Sequence, residues 1–365
     1  MRTGTAHLPL HHGRAPRWLF SRMVALSREI LRAIVEDFGP SEVLRRVSDP
    51  YWFQALGCVL GFDWHSSGLT TTTTGALKEA VAGRESDLGV FVAGGKGAVS
   101  RKTPSEIVTA ADKHRLSLSP DRLVYASRIS AKVDNTALQD GYQLYHHCFL
   151  FTPAGEWAVV QQGMNDATGW ARRYHWLSTT VDDFVCEPHA GVCAERREQL
   201  VLNMVAQESE EARRASALLA AEPPDKLARE LRRAQELTLP GRHQLAVSHL
   251  RPQSLQRILL KTYEHPPEDF ESLLAVRGVG PKTIRALAFI ADLLYGAKAS
   301  VRDPATFSFA HGGKDGIPYP VDRPAYDRSI EILREAVNRA KLADRERLGA
   351  LQRLAACSPL AREGH

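Results

Sequence analysis

The densest run of chemically able side chains lies between Ile129 and Asn165: Lys132, Asp134, Asn135, Gln139 and Asp140, then the adjacent His146 and His147, then Gln161-Gln162 and Asn165. Cleaving a phosphodiester calls for carboxylates that hold a divalent metal, a base or metal-bound water, and cations on the scissile phosphate. Asp134 and Asp140, with Asp63 upstream, are the candidate carboxylates and the candidate ligands for Mg or Mn. His65 or His146 is the candidate base, and Lys132 a cation beside the reacting group. Gln161 and Gln162 do no acid–base work at neutral pH, but their paired donors and acceptors orient substrate or water. Lys96, Arg101, Lys102 and Arg172 supply further cations for backbone phosphates. No nucleotide or organic cofactor is expected. Gly94-Gly95-Lys96-Gly97 lacks the longer spacing of a nucleotide-phosphate loop, and it reads equally as an ordinary turn or as a turn presenting Lys96 to a phosphate.

A second locus is Arg277-Gly278-Val279-Gly280-Pro281-Lys282-Thr283. Phe270, Leu273, Leu274 and Val276 precede it at helical spacing, and Ile284, Leu287, Ala288 and Ala291 follow at the same spacing. Gly278 and Gly280 permit a tight turn and let another molecule approach the backbone. The amides of the turn and of the helix start suit a phosphate oxygen, with Lys282 and Thr283 adding a cation and a hydroxyl. The segment resembles the helix-hairpin-helix motif of DNA-repair and recombination proteins, which implies a grip on the nucleic-acid backbone with little base specificity. Some DNA glycosylases with this motif carry a catalytic lysine in the second helix and a later aspartate in a Val-Asp context. Lys282 matches the lysine, and Asp322 of Val321-Asp322 is its counterpart, though the 40-residue gap is longer than that family shows. A lysine amine there would attack a sugar carbon and form a Schiff base.

These residues need elements to position them. Residues 17 to 38 place apolar side chains at helical spacing and stop at Gly39-Pro40. Helices are expected over 41 to 47 and from Pro50 to Leu60, the second capped by Asp49. The run Thr70 to Thr74 reads as a loop leading into a helix from about Gly75, and 89 to 98 as a strand ending in a glycine turn. A helical pattern spans Pro120 to Tyr145. A hairpin follows, with strands 146–152 and 156–162 about Pro153-Ala154-Gly155, and then a helix carrying Arg172, Arg173 and His175. On a strand His146 and His147 point to opposite faces, so only one serves a given pocket.

Beyond Cys193 the text is helical and charge-rich, broken at Pro223-Pro224 and Pro240-Gly241. The expected architecture is α+β: a mixed helix and β-hairpin catalytic domain over 1–192, then an all-α domain over 193–365 with the hairpin motif at about 266–294. At 365 residues, 44% hydrophobic and 24% charged, the chain is globular in composition, and its formal charge of +5 mildly favours a polyanion. The five cysteines are scattered and show no metal or disulfide spacing. No membrane span and no signal peptide are read in the sequence, so a cytoplasmic location is expected.

The segments MRTGTAHLPLHHGRAPRWL, DPYWFQALGCVLGFDWHSSGLTTT, ALQDGYQLYHHCFLF, WAVVQQGMN and ARRYHWLS together resemble domain-of-unknown-function family 763 of archaea and bacteria. That resemblance implies a prokaryotic cytoplasmic protein and no particular activity. The residues themselves lead to a DNA-binding, DNA-processing enzyme: a repair-type nuclease first, a glycosylase or abasic-site lyase second, a non-catalytic DNA-structure or damage-binding protein third. RNA is not excluded as the partner.

Overall fold

The computed structural model describes residues 15–62, 68–194, 197–227, 229, 252–306, 323–340 and 344–356. Four helices come first: α1 (Arg17–Phe38), α2 (Pro40–Ser48), α3 (Pro50–Val59) and α4 (Gly68–Val81). Gly39, at φ +85°, ends α1, and Pro40 opens α2 at a position where its missing N–H is not needed. Asp49 caps α3, its carboxylate accepting from Tyr51 N at 2.8 Å and Trp52 N at 3.1 Å. The threonine run is helix rather than loop. Thr74 Oγ1 donates to Thr70 O at 2.8 Å, and Thr70, Thr73 and Thr74 are buried, so packing overrides their weak helix preference.

After the short α5 (Glu85–Leu88) come β1 (Phe91–Lys96), a 3₁₀ turn over Gly97–Lys102, α6 (Thr103–Lys113) and α7 (Pro120–Lys132). The helical pattern expected to reach Tyr145 stops at Lys132. A π turn (Val133–Ala137) and the two-residue β2 (Leu138–Gln139) intervene before β3 (Gln143–Phe151). β3 forms the expected hairpin with β4 (Trp157–Met164). The segment expected as a helix about Arg172 is instead β5 (Ala171–Leu177), paired with β4 and with β6 (Gly191–Ala194). The sheet is five-stranded and antiparallel, in the order β1-β3-β4-β5-β6.

Both faces of this sheet are covered. On one, Phe149, Val159 and Trp176 pack with Leu123 and Ile129 of α7 and with Leu219 of α8 (Glu210–Ala220). The same core takes in Leu273 and Leu274 of α10 (Phe270–Ala275) and Ile284 and Leu287 of α11 (Pro281–Tyr295); α9 is Pro252–Glu264. On the other, Cys148, Leu150, Ala158 and Val160 pack with α1 to α4 and with Leu333 of α12 (Arg323–Arg339) and Leu354 of α13 (Asp344–Ala356). Each large side chain buried in this way contributes about 1.5–3 kcal/mol. The protein is thus a mixed α+β fold with an antiparallel sheet between helical layers.

The boundary expected near 192 is crossed by this packing. One apolar cluster runs from Phe91 to Ala305. β7 (Leu202–Asn203) pairs with β2, and Asn203 N donates to Ser300 O at 2.9 Å. Among the described residues no helix is long and apolar enough to cross a membrane.

Candidate functional site

The alternation of the strands sorts the polar residues onto two faces. His147, Gln161 and Tyr174 sit opposite one another on β3, β4 and β5, and so do His146, Gln162 and Arg173. The first row faces α7. His147 Nε2 lies 2.9 Å from Ser127 Oγ of α7, and its Nδ1 lies 2.9 Å from Gln161 Oε1. Gln161 Nε2 donates to Asp134 Oδ2 at 2.6 Å, where Trp176 Nε1 also donates at 3.0 Å. His189 Nε2 stands 2.6 Å from the other oxygen of Asp134. The π turn that ends α7 carries Asp134 into this position.

The second row faces α4 and α3. His146 Nε2 is 3.0 Å from Thr74 Oγ1. Thr74 already donates to Thr70 O, so its lone pair accepts the His146 N–H. His146 Nδ1 is then bare, buried and, among the described residues, without a partner. Arg173 donates to Gln54 Oε1 at 3.0 Å and to His175 Nε2 at 2.8 Å. Burial pushes the imidazole of His146 down to about 3, and burial also lowers that of His147 against the opposing bond to Gln161. Both rings are neutral at ordinary pH.

The α7 side opens into a cleft of about 930 Å³. Its walls are the 3₁₀ turn at Ser100 and Arg101, α7 from Tyr125 to Lys132, the start of β3, and the turn between α10 and α11 from Arg277 to Pro281. Arg101, Arg128, Lys132 and Arg277 line it, and among the described residues no aspartate or glutamate does. Arg101, Arg128 and Arg277 are exposed and, among the described residues, have no ion-pair partner. The α10–α11 turn is held against the sheet layer by Lys132, whose ammonium donates to Val279 O, and by Gln139, whose Nε2 donates to Pro281 O at 2.9 Å. Burial lowers the pKa of Lys132.

In that turn Gly278 adopts φ +105°, a conformation that favours glycine, whereas Gly280 at φ −143° does not require it. A Cβ on Gly280 would meet nothing nearer than Gly278 O at 4.0 Å. The amides of Gly278 and Gly280 have no acceptor among the described residues.

Several sequence expectations are corrected. Asp134 and Asp140 belong to separate networks and are saturated by protein donors. Asp140 accepts from Arg172 Nη1 at 2.9 Å, Tyr174 OH at 2.7 Å and Tyr142 N at 3.1 Å. These carboxylates therefore do not form a shared metal site, and no cluster of metal-ligating side chains occurs among the described residues. Arg172 is wholly buried between Asp140 and Asp303, 2.9 Å and 2.6 Å away, so it contacts no phosphate. Burial opposes its charge, but Asp140, Tyr174 and Asp303 outweigh that and hold its pKa above the ordinary value.

His146 and Gln162 lie on the row facing α4, and His146 lines the cleft while its ring bonds Thr74. Gln162 donates to the Tyr145 hydroxyl. Thr283 is buried, which removes its hydroxyl from the surface. Lys96 and Lys102 are exposed beside the cleft without lining it, and Lys282 is exposed on α11 outside it. Gly94 serves close packing, since a Cβ there would fall 2.2 Å from His147 O. Asp63, His65 and Asp322 lie outside the described residues.

Of the polar residues that line the cleft, Ser127 and Arg128 are absent from the sequence expectations, while His147 enters them only as one of an adjacent pair and Arg277 only as the start of the turn motif. His147 was readable as one of an alternating pair. Ser127 was not, because only the packing of α7 on β3 gives it a partner.

The fold and cleft together define a mixed α+β protein with an antiparallel sheet and a carboxylate-free cationic cleft at one end of it. The chain belongs to the family described as protein of unknown function (DUF763), whose sequence profile matches residues 4–321. No curated protein and no solved structure matches it.

Proposed function

We propose that the protein is a DNA-processing enzyme that holds the phosphate backbone in this cleft and cuts it, as a repair-type nuclease does. One observation carries the reading: four cations and the unpaired amide of Gly280 line one cleft that, among the described residues, has no carboxylate in its lining. A phosphodiester chain is the polyanion such a surface suits, because each neutralised phosphate releases counterions and a backbone amide donates to a phosphate oxygen without needing a side chain. The resemblance of about 266–294 to a helix-hairpin-helix motif points the same way. Nothing in the arrangement favours the lyase reading, since Lys282 stands outside the cleft.

Fluorescence anisotropy with labelled single-stranded, nicked and abasic DNA, repeated across a salt series, tests the binding. Replacing Arg128 and Arg277 together by alanine is expected to reduce the slope of log affinity against log salt by about 2. Folding stability is expected to change by less than about 0.5 kcal/mol, since both side chains are exposed. An unchanged slope sinks the cleft as the binding surface. RNA of the same sequence is the competing ligand in the same assay. Failure to cleave any of these strands, with or without magnesium or manganese, sinks the nuclease part alone.

A further inference from the structure

Trp176 Nε1 can only donate, so Asp134 Oδ2, 3.0 Å away, is an acceptor. The atom of Gln161 that lies 2.6 Å from the same oxygen is therefore its NH₂ group. That turns the Gln161 carbonyl toward His147 Nδ1, 2.9 Å away, and places the imidazole proton on Nδ1. His147 Nε2 is left with a bare lone pair, and the hydroxyl 2.9 Å from it, Ser127 Oγ, must donate. Each proton in this chain is assigned by the one before it, starting from an indole that has no choice. The result is a serine hydroxyl aimed at a neutral imidazole whose far side is fixed by an amide and a carboxylate, the relation by which a weak nucleophile is activated. Ser127 and His147 both line the cleft, with Arg128 the next residue along α7 and Arg101 on the neighbouring wall.

We propose that Ser127 is the nucleophile of the cleft and forms a covalent phosphoserine link to a nucleic-acid strand, with His147 moving the proton. This rests on the backbone-binding reading above. Ser127 Oγ forms a bond to phosphorus as its proton passes to His147 Nε2. The phosphorus–oxygen bond to the departing sugar breaks, and that oxygen takes the proton from His147. Water then attacks the phosphorus and gives a proton to His147, which returns it to Ser127 Oγ as the serine leaves. The net reaction is hydrolysis of one phosphodiester. The charge that builds on the phosphoryl oxygens is offset by Arg128 and Arg101. Gln161 and Asp134 are positioning residues: they hold the tautomer and never meet the phosphate.

The test uses the full chain and labelled single-stranded and nicked DNA carrying bridging phosphorothiolate linkages, whose sulfur departs without needing a proton. A protein–DNA species that survives denaturing electrophoresis and maps by mass spectrometry to Ser127 is the expected result. Ser127→Ala is expected to bind within about twofold of wild type while losing the adduct and at least about 1000-fold in cleavage rate. Ser127→Cys, closer in size, serves if the alanine variant fails to fold, and it is expected to slow turnover while still forming an adduct. An adduct on another residue, undiminished cleavage by Ser127→Ala, or wild-type protein that binds but neither cuts nor links overturns the proposal and leaves the binding reading standing. Wild-type protein that does not bind overturns both.

Discussion

The two faces of the sheet carry nearly the same polar vocabulary at the same depth. Each has a histidine of β3, a glutamine of β4 and a hydroxyl from a helix laid across them: His147, Gln161 and Ser127 on one, His146, Gln162 and Thr74 on the other. What differs is where the network ends. On the α7 side it runs from a carboxylate in the core, Asp134, out to a hydroxyl in a cationic cleft. On the α4 side Thr74 is spent on the carbonyl of its own helix, and the far nitrogen of His146 has no partner among the described residues. Residue type alone does not make a site; here the difference is a charged end in the core and a hydroxyl end that, though buried, lines a cleft.

The largest expected effect tests the buried end. Asp134→Ala deprives Gln161, Trp176 and His189 of their acceptor at once, and a loss of about 3–5 kcal/mol is expected in denaturant unfolding. A loss under 1 kcal/mol would mean that the carboxylate does not anchor the network.

Acid probes both rows together. Burial, then His147 and Lys96, depress His146 to about 3, while the unfolded imidazole titrates near 6.5. Between those values the unfolded chain holds a proton that the folded chain refuses. Stability is therefore full above about pH 6.5 and falls as pH drops toward 3, by up to about 1.4 kcal/mol per pH unit for each such histidine. His147 and His175 are lowered by burial as well and add in the same sense. Urea midpoints between pH 7 and 4 should show the decline, and His146→Gln should flatten it.

A smaller effect should separate the faces. Thr74→Val leaves the His146 N–H without an acceptor at a cost of about 1–3 kcal/mol, yet DNA binding and cleavage should not change. If cleavage falls with Thr74→Val and not with Ser127→Ala, the working face has been assigned backwards. The smallest structural perturbation is Gly280→Ala. Its φ suits any residue and the space is open, so stability should hold within about 0.5 kcal/mol while affinity for DNA drops. An unchanged affinity would remove the α10–α11 turn from the interface.

Much of the fold was legible where local physics decides it. Asp49 before Pro50 announced α3, Gly39-Pro40 the break after α1, and Pro153-Ala154-Gly155 the β3–β4 turn. The apolar stripe Ile284, Leu287, Ala288 and Ala291 is buried on α11 as its spacing implies. Misreadings fell where both faces of an element are buried. β5 reads Arg-Arg-Tyr-His-Trp, with no alternation of polar and apolar residues, because Arg172 and Tyr174 are satisfied by Asp140 on one side and Arg173 by Gln54 on the other. The threonines of α4 read as loop by their composition, and it is burial of Thr70, Thr73 and Thr74, with Thr71 and Thr74 bonding carbonyls of their own helix, that makes them helix. The adjacent histidines announced that they would part company. Both line the cleft, but which of them turns its ring to α7 depends on where that helix lies, and no residue near them records that.

The closing of the α4 side bears on how the chain is made. Arg353 of α13 donates to Val59 O, at the end of α3, from Nε at 2.9 Å and Nη2 at 2.8 Å, across 294 residues of sequence. Leu333 and Leu354 complete the apolar cluster that α1 to α3 begin. The strands of the sheet meet their neighbours within a short stretch of synthesis, whereas the first helices emerge from the ribosome long before the segments that cover them. A nascent chain therefore carries the apolar faces of α1 to α3 incompletely covered until α12 and α13 are made, where a chaperone would find them.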